Sequence, residues 1–268
     1  MKTAISTVIP STSKKASNRF NFLDFEDIEL AIILKALKRQ SENQLFKKLK
    51  SNLEQNNIYL SLNEPPMSYK DFTLTMVLEK FKLNSADADI FGHVEAIPKE
   101  ELAFFYQTLE RNLRTPMISE KARSEAIIFP VLTEILDRNV DEFVIFSGKT
   151  FDVDGSLGLT GRCDFLLSSA GATKNVIHAP VFIAVEAKKG VVEDHLGQCA
   201  AEMMAARIFN QQKKKEIETI FGVVTSGMEW LFMKLEGDTI YVDKVHYYEK
   251  ETDMIIAIFQ EILNTCKK

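Results

Sequence analysis

Val181-Phe182-Ile183-Ala184-Val185 runs directly into Glu186-Ala187-Lys188-Lys189-Gly190. The first five residues form an apolar, strand-like run, and glycine closes the stretch. On a strand, positions 186 and 188 point to the same face, so a carboxylate and an ammonium stand side by side. At the end of so apolar a strand both charges lose water, an unfavourable arrangement unless they meet a metal, a phosphate or each other.

Outward from this strand the chain alternates between periods. Upstream, residues 119–138 carry Ile127, Ile128, Val131, Leu132, Ile135 and Leu136 on one helical side, with Pro130 expected to kink or split the helix. Strand-like segments follow at 142–151 and 158–167, separated by the turn signal Asp152-Val153-Asp154-Gly155-Ser156. Downstream, 194–210 reads as a helix rich in small residues, Ala200-Ala201 and Ala205-Ala206, able to lie close to a sheet. Residues 219–225, 229–235 and 239–245 read as strands, and 251–266 as an amphipathic helix. This order predicts one α/β domain on a mixed sheet over 116–268.

The other half reads differently. Residues 1–19 are expected to be a flexible tail, and 20–115 a helical region. Helical signals there include the run from Ile28 to Leu37, the Leu45, Leu49, Leu53 stripe, and segments 69–81 and 98–113, with Asn63-Glu64-Pro65-Pro66 as a break. No chemistry is legible in this half, which suits packing or the binding of a protein partner.

Composition narrows the function classes. With 46% hydrophobic and 26% charged residues, the chain fits a soluble globular protein. A net charge of −5 argues against a wholly basic surface but leaves room for a local basic groove. Cys163, Cys199 and Cys266 form no Cys-x-x-Cys pair, and this sparse, odd set fits a reducing cytoplasm. The four histidines lack zinc-ligand spacing. Apolar runs are too short for a membrane span, and residues 1–10 lack a secretory signature.

Asp164, in Gly161-Arg162-Cys163-Asp164, falls on the strand before Glu186. The two carboxylates are expected on neighbouring strands, close enough to share one divalent cation, and such hard oxygens suit Mg²⁺ or Mn²⁺. A cation of this kind acidifies a coordinated water and offsets charge building on phosphorus. Lys188 is placed to orient the water or stabilise the oxyanion. Glu125 on the preceding helix is placed to reach the metal or its waters, and Gln198 on the following helix to orient a nucleotide or a water. Arg162, Lys189 and Arg207 are candidate phosphate contacts. Glu202, one turn beyond Gln198, reads as a surface or hydrogen-bonding residue, and His195 as incidental.

This set, in this order, resembles the PD-(D/E)XK nuclease superfamily, across about residues 119–235. The resemblance maps the first-helix glutamate onto Glu125, the motif aspartate onto Asp164, the E-x-K onto Glu186 and Lys188, and a helix glutamine of some branches onto Gln198. Residues 185–210 also look like an uncharacterised bacterial branch with an EAK strand and a GQC-type helix. Two departures stand out: Cys163 replaces the motif proline, and Glu120 competes with Glu125. The resemblance implies a restriction-endonuclease-like αβββαβ core and Mg²⁺-dependent phosphodiester cleavage, of DNA by analogy. Cutting both strands requires two sites, which a homodimer would supply. The competing expectation is a catalytically silent protein that keeps this fold as a protein- or nucleic-acid-binding module.

Overall fold

A computed structural model describes residues 67–266. The chain divides after Pro65, and all of these residues belong to the second unit, Pro66–Lys268. The expected tail 1–19 and the helical signals of residues 20–66 lie outside the described residues.

The sequence folds as the α/β alternation predicts. After a 3₁₀ turn at Tyr69–Asp71 come α1 (Leu74–Phe81), β1 (Asn84–Ala88) and α2 (Ala103–Asn112). A composite helix follows: α3 (Glu120–Arg123), a π-helical stretch (Ser124–Ile128) and α4 (Phe129–Arg138). Then come β2 (Phe143–Thr150), β3 (Arg162–Ser169), β4 (Val181–Ala187), α5 (Leu196–Gln212), β5 (Thr219–Thr225), β6 (Glu229–Glu236), β7 (Thr239–Asp243), β8 (Tyr247–Tyr248) and α6 (Thr252–Cys266). Among the described residues no helix is long and apolar enough to cross a membrane.

The strands form one mixed open sheet in the order β1-β7-β6-β5-β4-β3-β2, with β8 also on β6. β2, β3 and β4 run as an antiparallel meander, whereas β4 and β5 are parallel and joined by α5. β4 and β5 are buried along their whole length, because helices cover both faces, and this explains their almost unbroken apolar runs.

One structural finding corrects the helical reading of 20–115. Residues 84–88 are a strand paired in parallel with β7. Asn84-Ser85-Ala86-Asp87-Ala88 is mostly exposed and has no apolar alternation, so only its pairing reveals it. The Tyr69 hydroxyl, which donates to the carbonyls of Phe151 and Leu159, ties the same region to the β2–β3 loop.

Pro130 acts as expected, though through a π turn. It has no N–H to offer the carbonyl of Ala126, and Asn112 Nδ2 donates to that oxygen at 3.2 Å. One residue earlier, the Phe129 N–H reaches back five residues to Ser124 O.

Asn210 sets the position of α5. Its side chain accepts from Val181 N–H at 2.8 Å and donates to Val181 O at 2.9 Å, clamping the end of the helix to the start of β4. Running back about 12 Å along the helix at 1.5 Å per residue brings Glu202 level with the far end of β4, where Glu186 stands.

Candidate functional site

Phe165 pairs with Val185 across the β3–β4 ladder, and continuing this register sets Asp164 opposite Glu186. The Ala187 N–H donates to Asp164 Oδ2 at 2.9 Å, and the Lys188 N–H to Thr225 O at 2.8 Å, so the end of β4 is held on both sides. Ile183, Val185 and Ala187 join the core beneath α4 and α6, and Ala184 joins the one beneath α5. By alternation Glu186 and Lys188 fall on the α5 face.

Lys188 Nζ lies 2.5 Å from Glu186 Oε1 and 3.9 Å from Asp164 Oδ2. The structure therefore brings Asp164, Glu186 and Lys188 together as the sequence suggests. Glu186 is 0% exposed. Lys188 is thus the cation paired with Glu186, and the buried Glu202 carboxyl is its other close polar neighbour. Burial first, and then the Asp164 charge, push the Glu186 carboxyl up to about 7 even though Lys188 opposes the shift. Burial pulls Lys188 down, but Glu186, Asp164 and Glu120 outweigh it and the net shift is upward.

A carboxylate that the sequence left aside completes this cluster. Glu202 is fully buried, accepts from Gln198 Nε2 at 3.3 Å through Oε1, and has no partner at Oε2. Burial and then Glu186 drive its pKa well upward. Its signal was available in Ala200-Ala201-Glu202-Met203-Met204, since from Cys199 to Ala206 α5 is otherwise apolar or small and is buried throughout. Gln198 is half-buried, and its amide is turned to Glu202. Cys163 and Cys199 lie among the same groups, and burial pushes both thiols up, which makes them poor nucleophiles.

On the other side Asp164 faces a cavity of about 390 Å³ whose lining includes Glu120, Glu125, Gly148, Arg162 and Ala187. Glu120 and Glu125 both reach it. Glu125 is mostly exposed and pairs with Lys121 at 3.7 Å, whereas the Glu120 charge is felt by Lys188 and by His195. Burial, then Lys188, lower the His195 pKa and favour its neutral form.

Of the basic candidates, Arg162 lines this cavity and Lys189 is exposed just past β4. Arg207 does not belong with them. It lies nine residues beyond Gln198, about 14 Å along α5, and lines a separate cavity with Glu216 and Asp238.

Asp164 and Glu186 offer hard oxygen donors of the kind a divalent cation takes. Lys188 already places one positive charge between them. Among the described residues no group of three or more His, Cys, Asp or Glu side chains is arranged to hold a metal ion, so Glu125 is not drawn into a ligand set with the other two. No family model, curated protein or solved structure matches the chain.

Proposed function

We propose that this chain is a metal-dependent nuclease that hydrolyses phosphodiester bonds of DNA, on a restriction-endonuclease-like core. The order α3–α4, β2, β3, β4, α5, β5 agrees with the αβββαβ arrangement, and adjacent meander strands carry Asp164 and Glu186. One observation carries the reading: Glu186 is wholly buried beside a second buried carboxylate, Glu202, and its cationic neighbour, Lys188, stands between it and Asp164. A buried ion pair is weak evidence of stabilisation, because desolvation offsets most of the Coulombic gain, so this cluster is better explained by chemistry.

Asp164 and Glu186 would hold Mg²⁺ or Mn²⁺, which supplies an acidified water and neutralises charge on the phosphate. Lys188, paired with Glu186 in this structure, would be the group near enough to orient that water or stabilise the developing oxyanion. Glu120 and Glu125 both rim the cavity, and the first-helix role is open to either. Gln198 acts indirectly by holding Glu202 beside Glu186. A homodimer would supply the second site needed for duplex cleavage.

The test is degradation of plasmid and single-stranded DNA with Mg²⁺ or Mn²⁺. Glu186→Ala should abolish cleavage, and Lys188→Ala should lower it by roughly 10²-fold or more. Equal activity in the variants, or none in the parent protein, overturns the proposal. The Lys188–Glu186 pair itself favours a second reading, a silent binding module with a structural ion pair. Calorimetric titration with Mn²⁺ separates the two: binding that Asp164→Asn removes belongs to the nuclease, and no binding belongs to the module.

A further inference from the structure

Gly148, on β2 beside Asp164, has a φ of 59°, a conformation that strains any residue with a side chain. A Cβ there would stand 2.3 Å from Nη2 of Arg162 and 2.9 Å from its Nε. The Arg162 guanidinium therefore lies in the space that any other residue at 148 would occupy. Both residues line the cavity that contains Asp164, Glu120 and Glu125. Arg162 is exposed, and among the described residues its guanidinium makes no ion pair and no hydrogen bond. Lys149, next along β2, is instead turned to Asn175 O at 3.5 Å.

A guanidinium left unpaired beside carboxylates has its planar fork of donors available, and that fork matches the non-bridging oxygens of a phosphate. We propose that Gly148 is a positioning residue: by having no side chain it seats the Arg162 guanidinium over β2 as a bidentate clamp for a backbone phosphate of the nucleic acid. The inference rests on the nuclease reading and adds to it. Gly148 then matters to binding only through Arg162, which makes the two positions energetically coupled.

The experiment uses the full chain and a short fluorescein-labelled DNA duplex, with Ca²⁺ replacing Mg²⁺ so that binding is read by anisotropy. It is run over a salt series, with values corrected for folded fraction by circular dichroism. Arg162→Ala should weaken binding about tenfold and reduce the salt slope by about 1. Arg162→Lys should keep the slope but not the affinity, because charge survives and the fork does not. Gly148→Ala should weaken binding in the parent protein and add nothing in the Arg162→Ala background. An equal loss from Gly148→Ala in both backgrounds reduces Gly148 to a structural role and overturns the proposal. So does an unchanged slope in Arg162→Ala while the parent protein still cleaves DNA. A parent protein that neither binds nor cleaves DNA overturns the nuclease reading as well.

Discussion

On one face of the sheet Trp230, Phe232 and Phe259 pack edge-to-face, with ring centroids 5.5 to 6.1 Å apart. On the other face α5 lays Cys199, Ala200, Ala201, Ala205 and Ala206 against the strands. Large rings keep the helix of the first face at a distance, and small side chains let the second come close. The first face buries apolar bulk. The second holds Glu186, Glu202 and Asn210, polar groups buried among atoms too small to keep the backbones apart. Close approach thus allows Glu202 on α5 to reach the end of β4, where the candidate chemistry lies.

The comparison breaks most easily at its extremes. Trp230→Ala should cost the most stability, about 3–5 kcal/mol by urea unfolding, because it opens a cavity and removes the indole N–H that donates to Gly227 O. Metal affinity of the folded fraction should be unchanged if the bulky face serves packing alone. Gly197→Ala should come next. Its Cβ would meet Phe72 O at 2.3 Å and the Thr73 backbone at 2.4 Å, so α5 must shift, at about 1–3 kcal/mol. This variant should also lower cleavage, since the shift moves Glu202 relative to Glu186. Activity kept at full level would show that close approach and chemistry are independent.

Asn210→Ala removes both links to Val181 and leaves the two backbone groups unpaired, at about 1–3 kcal/mol, again with reduced cleavage. The last effect is one of pH, read as a slope rather than as a loss. With its carboxyl near 7 rather than its ordinary 4.5, Glu186 binds more proton in the folded than in the unfolded chain between those values. Its stabilising contribution is full below the unfolded value and is lost as pH rises through about 7. Melting temperature should therefore decline from about pH 5 to about pH 8, and Glu186→Gln should flatten the decline. An equally steep decline in that variant would place the buried proton elsewhere.

The sequence exposed the core elements where burial made them loud. Residues 219–225 and the run ending at Lys188 could hardly be anything but covered strands. β1 stayed hidden because its pairing lies far along the chain and its side chains are exposed. Glu120 and Glu125 compete in the sequence because a regular period of 3.6 makes residues five apart diverge. The π stretch changes that spacing, and both glutamates reach one cavity. Glu202 is hard to find because a lone glutamate usually faces water, and only its apolar or small neighbours from Cys199 to Ala206 argue otherwise.

The outer strands bear on how such a molecule avoids its own kind. A sheet with free borders invites another copy to extend it, and among the described residues both outer strands discourage this. β1 presents Ser85 and Asp87 in a short, polar strand, and β2 ends on Gly148, Lys149 and Thr150 with a backbone turned out of regular extension. The glycine whose missing side chain leaves room for Arg162 thus also blunts a border.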